Sequence, residues 1–237
     1  MSPVNSARAT AARVQRNIPT SLTIRFTNAR DMKAVESLFH GTSKEKLDPK
    51  RKVRARSKEE LEAPISGGSA IIATDQDGLI RFFAMASDHF KYTHNAMAVT
   101  EIGGIMSDVG GFKLTQVASA MLALSETMRL REEYPCLRSH GLHALVANDN
   151  PAAQKVFGRD SQWDGVACDQ KRGTLFDTQG KYSQDNDRAA RIWYGFQDAA
   201  LHAARERTMK TIHAGALTSK SGESIAVNLD ARVHTLV

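Results

Sequence analysis

The chain has 237 residues, 41% of them hydrophobic and 24% charged. That length and balance fit one main globular domain with appendages, and no apolar run approaches the roughly 18 to 20 residues needed to cross a bilayer. Its two cysteines, Cys136 and Cys168, have neither disulfide-framework nor zinc-ribbon spacing, so a reducing, cytoplasmic location is expected.

The net charge of +6 is unevenly spread. Residues 1–30 carry Arg8, Arg13, Arg16, Arg25 and Arg30 and no acid. Residues 1–20 are therefore read as a disordered basic arm, whose Arg-rich, acid-poor composition also resembles that of an organelle transit peptide. A second basic block, residues 44–58, sets eight Lys and Arg against Glu45 and Asp48. It reads as a solvated loop or as an anion-binding surface.

Residues 22–26 alternate apolar and polar side chains, which predicts a strand. Asp31 is then expected to cap a helix that turns Met32, Val35, Leu38 and Phe39 inward and ends at Gly41. Ser57 and Glu60 have the spacing of a capping box and open a second helix, which Pro64 and Gly67-Gly68 are expected to close. Residues 69–74 and 79–85 flank an Asp-Gly turn at Asp77-Gly78, the signature of a β-hairpin.

Residues 97–106 form another apolar strand, and Gly103-Gly104 within it suggests a bulge or a close backbone approach. After a turn at 107–111, the spacing of Val117, Met121, Leu124 and Met128 places them on one face of a long helix over about 114–130. Pro135 follows its end. Residues 142–146 are a short buried strand. Asn150 is then placed as N-cap and Pro151 as first residue of a further helix, with Ala153, Val156 and Phe157 inward. Beyond it, residues 165–168 and 191–196 are read as strands, 171–187 as a loop, 198–212 as a helix, and 221–237 as an edge hairpin or tail.

This order, β-α-α-β-β-β-α-β-α-β, resembles the GNAT acyl-CoA N-acyltransferase superfamily over residues 22–196. Three local matches support the likeness. Residues 100–106 run into a glycine-containing turn and a long amphipathic helix, as in the family's acyl-CoA motif. Residues 150–157 resemble its Asn, small, apolar, aromatic pattern, and one short strand separates the two helices. The resemblance implies an α+β fold with a mixed, mostly antiparallel central sheet and helices on both faces. It divides the chain into the arm (1–20), a GNAT-like domain (21–197) and a C-terminal helix and tail (198–237).

The physical logic of the turn stands apart from the family. A pyrophosphate is well held by the unpaired N–H groups at a helix N-terminus. Val109, Gly110, Gly111, Phe112, Lys113, Leu114 and Thr115 are placed to supply them, with the glycines free to adopt positive φ and Lys113 adding a cation. The family has Arg/Gln-x-x-Gly-x-Gly/Ala here, from which this turn departs. The resemblance also implies that the strand at 101–106 pairs with the pantetheine arm of acetyl-CoA or another acyl-CoA. A splay from residues 142–146 would make this possible, Ile105 or Met106 would meet the oxyanion, and Asn150 would approach the pantetheine or acyl end.

An amine acceptor, small molecule or protein, arrives protonated and needs a base. Glu101 is the candidate. Phe157 stands where the family often has a tyrosine acid, so the thiolate leaves unaided or through water, or Tyr182 or Tyr194 substitutes. An alternative function is acyl-CoA binding or scaffolding with little catalysis. Nucleic-acid binding is disfavoured because the basic segments lack interleaved aromatics, and no zinc or calcium ligand set is evident around His140, His143 or Asp75. Residues from Leu201 onward are a candidate homodimer element.

Overall fold

The computed structural model describes residues 18–40, 53, 56–92, 97–133, 139–147, 150–157, 164–168, 191–195 and 198–237. Residues 1–17 of the arm, Gly41, most of the basic block, Pro135, Cys136, the 171–187 loop and Tyr182 lie outside them. No described helix is long and apolar enough to cross a membrane.

In chain order the strands and helices are β1 (Ser21–Phe26), α1 (Met32–Leu38), α2 (Lys58–Ser66), β2 (Ala70–Asp75), β3 (Ile80–Tyr92), β4 (Met97–Ser107), α3 (Leu114–Glu133), β5 (Ser139–Ala147), α4 (Pro151–Phe157), β6 (Asp164–Cys168), β7 (Arg191–Gly195), α5 (Asp198–Ala214), β8 (Ala216–Thr218), β9 (Ser224–Leu229) and α6 (Ala231–His234). Through α4 this is the order expected, and two strands, β6 and β7, follow where that order has one. The strands form one sheet, β6-β7-β5-β4-β3-β2-β1-β9-β8. Its pairs are antiparallel except β4 with β5 and β1 with β9. The C-terminal hairpin begins at Ala216 rather than Ser221, and its second strand extends the sheet beside β1.

Alternation along the strands sends side chains to two cores. One face, with Ile24, Ala73, Phe82, Ala84 and Ile102, packs on α3 and α5. The other, with Ile72, Phe83, Met85 and Met106, packs on α1 and α2, where Phe39 meets Phe83 edge-on at 5.7 Å between ring centroids. At about 1.5–3 kcal/mol per fully buried large side chain, these faces dominate the fold's stability.

Local rules account for several boundaries. Ser57 and Glu60 make the expected capping box, Ser57 Oγ accepting from Glu60 N and Glu60 Oε2 from Ser57 N. Asp75 Oδ1 accepts from both Asp77 N and Leu79 N, and Gly78 takes φ +77° to close the hairpin. Other expectations are corrected. Asp31 makes no side-chain cap on α1. Its carboxylate instead takes both arms of the Arg25 guanidinium, at 2.6 and 2.7 Å, while Asn28 caps the preceding turn. Pro64 lies inside α2, and Gly67 ends the helix. Met128 is 37% exposed rather than inward, and α3 instead buries Ser119, Ser125 and Glu126; α5 packs beside Ser119, and Arg232 covers Ser125. The C-terminal segment is tied in by Arg232, which donates to Gly68 O and Ser125 Oγ and stacks 4.2 Å over the Phe26 ring.

Candidate active site

Because β4 and β5 are parallel, the junctions β4–α3 and β5–α4 lie at the same end of the sheet, the carboxyl end where α/β sheets open. The ladder between them runs from Met97–Ser139 to Glu101–His143 and stops there. β4 nevertheless continues to Ser107, and β5 to Ala147. β5 keeps its other edge paired with β7 through Ala147, and β4 keeps its other edge paired with β3 through Ser107. The strands therefore part after Glu101 and His143, leaving facing backbone edges without a ladder between them.

The glycines at 103–104 produce this shape. Across from Phe83–Met85, β4 carries one extra residue between Gly103 and Met106, which is a bulge, and Gly104 adopts φ +63° within it. A Cβ on Gly104 would meet Met85 Cγ at 3.4 Å, an ordinary van der Waals contact, so it is the backbone conformation rather than space that calls for glycine there. Ile105 follows, half-buried against the α3 core, and the Met106 side chain is buried on the α1–α2 side. These two positions can present only backbone groups to the opening.

The turn divides its residues sharply between anchoring and exposure. Val109, Phe112 and Leu114 are buried pegs in the main core, while Gly110, Gly111 and Lys113 are exposed and Thr115 is half-buried. Gly111 takes φ +92°, as expected of a glycine, but the second left-handed residue is Lys113 at φ +58° rather than Gly110. The two left-handed residues stand two apart. Such alternation turns successive N–H groups toward one side, as an anion nest requires. Lys113 immediately precedes α3, and its carbonyl accepts the Val117 N–H at 3.0 Å, so the helix's first-turn donors follow directly on the turn. Upstream, Arg81 bridges Asp108 at 3.0 Å and Asp75 at 3.5 Å, tying the start of the turn to the hairpin and matching the charge of Asp108.

The topology is that of an α+β fold with a mixed, mostly antiparallel sheet. No protein-family model matches the sequence, and no curated protein matches it with significance. Among solved structures, the chain is similar to a GNAT superfamily phosphinothricin acetyltransferase from Sinorhizobium meliloti in complex with acetyl-CoA, at 14% identity and a TM-score of 0.46 over 74% of this chain and 87% of that one. It is similar to NAA60 from Arabidopsis thaliana in complex with acetyl-CoA, at 13% identity and a TM-score of 0.46 over 74% and 98%. It is also similar to an N-acetyltransferase from Staphylococcus aureus, at 9% identity and a TM-score of 0.44 over 73% and 96%.

Glu101 is 6% exposed and lies on the α2 face of the sheet, opposite Ser87 on β3 and beside the buried His143 on β5. Gly103 makes room for its carboxylate: a Cβ there would come 3.2 Å from Glu101 Oε1 and 3.6 Å from Arg56 Nη2. Asn150, half-buried, uses its Oδ1 to cap α4, accepting from Ala153 N at 3.2 Å. Phe157 is 3% exposed in the main core. Tyr194 pairs with Ala144 on the far side of β5 from β4.

Sequence reasoning did not single out Arg56 or His143. His143 neighbours Glu101 only through strand register, 42 positions of chain apart in alignment, which no local spacing reveals. Arg56 stood among eight basic residues of one block, and its burial, which no local spacing reveals, is what marks it.

Proposed function

We propose that this protein is an N-acyltransferase that moves an acetyl or other acyl group from acyl-CoA to an amine. The observation that carries this reading is the ladder between β4 and β5, which ends at Glu101–His143 and opens toward a turn with left-handed Gly111 and Lys113. The opening supplies unpaired backbone edges suited to the amide units of pantetheine, and the turn supplies N–H donors and a cation suited to a pyrophosphate.

In this reading the backbone of Gly110, Gly111, Phe112, Lys113, Leu114 and Thr115 holds the pyrophosphate, and Lys113 adds charge. Val109, Phe112 and Leu114 fix the loop through their buried side chains. The backbone of Ile105 and Met106 orients the thioester and donates to the oxygen that becomes negative. Glu101 takes a proton from the acceptor ammonium, directly or through water, and the freed nitrogen attacks the thioester carbon. The C–N bond forms, the C–S bond breaks, the sulfur leaves as CoA thiolate, and the second proton of the attacking nitrogen passes to water or to that thiolate. Phe157 has no proton to give, and a thiol pKa of about 8.5 lets the thiolate depart without a dedicated acid.

Phe157 also favours a second reading, acyl-CoA binding with little turnover. The test is calorimetry with acetyl-CoA together with thiol release over a panel of amines, for wild type and Glu101→Gln. Binding in both proteins, with turnover only in the wild type, is the expected result. Binding without turnover in either selects the second reading, and no binding by the wild type overturns both.

A further inference from the structure

On the α2 face of the sheet, a cleft of about 410 Å³ opens between α2 and β3, with Arg56, Glu59, Glu60, Ser69, Ser87 and Arg129 on its walls. That volume suits a small molecule. Ser87, on the cleft wall, is the residue opposite Glu101 in the β3–β4 ladder, so the cleft borders the strand position of the proposed base.

The two arginines of this cleft differ in how their charges are met. Arg129 is held by Glu126 at 2.8 Å and Glu133 at 2.6 Å. Arg56 is 9% exposed, and its Nε is buried with no hydrogen-bond partner among the described residues. Glu60 stands 3.7 Å from Arg56 Nη1, outside hydrogen-bonding range, and its other oxygen is engaged by Ser57 N in the capping box. A buried guanidinium with unused donors is costly unless an anion completes it, and its planar fork fits a carboxylate.

We propose that Arg56 holds the carboxylate of the acceptor, and that the acceptor is a small amino acid, with an amine and a carboxylate a few bonds apart. This rests on the acyl-transfer reading above. The spacing comes from Gly103, where a single missing Cβ position lies 3.2 Å from Glu101 Oε1 and 3.6 Å from Arg56 Nη2. The carboxylate and the guanidinium are therefore within about 7 Å of each other beside the bulge, a separation that the amine and carboxylate ends of one amino acid can span. An amine without a carboxylate would leave the Arg56 fork unsatisfied, which is how a polar site rejects a substrate lacking the matching group.

The experiment compares matched pairs, phenylalanine with phenethylamine and methionine with 3-(methylthio)propylamine, by thiol release with acetyl-CoA and by the thermal shift each amine gives without cofactor. Wild type should favour the carboxylate-bearing member at least 100-fold in kcat/KM and be stabilised by it alone. Arg56→Met should lose at least tenfold of that preference, mainly through KM, and lose the thermal shift while keeping its acetyl-CoA affinity. Arg56→Lys should recover part of the preference. Equal use and equal binding of both members by wild type, or an unchanged preference in a folded Arg56→Met, overturns the proposal and leaves acyl transfer standing. If acetyl-CoA does not bind but amino acids still give an Arg56-dependent shift, the acyl-transfer reading falls and the carboxylate site remains. If Arg56→Met fails to fold, the Arg56→Lys result and the wild-type comparison decide.

Discussion

Replacing Lys113 with glycine should make the protein more stable and weaken its hold on CoA at the same time. Lys113 sits at φ +58° with an exposed side chain, so its conformation is held against its own preference while the side chain packs on little. The left-handed conformation costs a residue with a Cβ about 1–2 kcal/mol, and glycine gives back about 0.5–1 kcal/mol through its greater freedom in the unfolded chain. The net gain is about 0.5–1 kcal/mol, which for a chain of this size raises Tm by about 1–4 °C. Losing one exposed cation beside the nest should weaken CoA by about two- to fivefold, given roughly 0.2–1 kcal/mol for an exposed ion pair. Lys113→Ala separates the two effects, because it keeps the strain and removes the charge. Its melting temperature should match the wild type's, and its CoA affinity should match that of Lys113→Gly. Thermal melts of the cofactor-free proteins and calorimetry with CoA at two salt concentrations read both quantities. If Lys113→Gly melts no higher than Lys113→Ala, the left-handed assignment is wrong; if neither variant loses affinity, Lys113 does not face the pyrophosphate.

Gly103→Ala tests the space kept for the Glu101 carboxylate. Its Cβ at 3.2 Å from Glu101 Oε1 forces a shift of a few tenths of an ångström, and kcat should fall by about tenfold with CoA affinity unchanged; unchanged kcat would separate Glu101 from the chemistry. The Arg25–Asp31 pair predicts an acid-sensitive contribution to stability. Burial pushes the Asp31 carboxyl up, but the Arg25 guanidinium and the Asn28 N–H outweigh it and hold it below the usual value. Its contribution is therefore complete above the unfolded value of about 4 and is lost as pH falls through the lower folded value. Asp31→Asn should flatten the drop in Tm below about pH 4, and an unchanged slope there would remove Asp31 from the account. Arg232→Met should destabilise the fold by about 1–3 kcal/mol, since it removes the bonds to Gly68 O and Ser125 Oγ and the stack on Phe26; denaturant melts showing no change would mean that the C-terminal segment is held by other contacts.

Several features of the fold were legible because their causes lie within a few residues. The Ser57–Glu60 capping box, the hairpin closed by Gly78 and the Asn150 cap before Pro151 all depend on hydrogen bonds between near neighbours in the chain. The bulge at Gly103-Gly104 and the Val109–Thr115 turn could be located for the same reason: glycines and exposed backbone mark them directly. Asp31 failed as a cap because Arg25, on the preceding strand, competes for its carboxylate. Met128 failed as a core residue because the packing of α5 and Arg232 decides which sides of α3 are covered.

What the amino-acid order determined by itself is therefore the set of elements and the chemistry available at the β4–α3 junction. Only the tertiary structure decided where the β4–β5 ladder stops, that Lys113 rather than Gly110 is left-handed, and that Arg56 is buried against the cleft. Helix caps and tight turns are written in contacts a few residues long. Strand register, burial and charge pairing depend on partners tens to hundreds of residues away, and become defined only when the sheet closes around them.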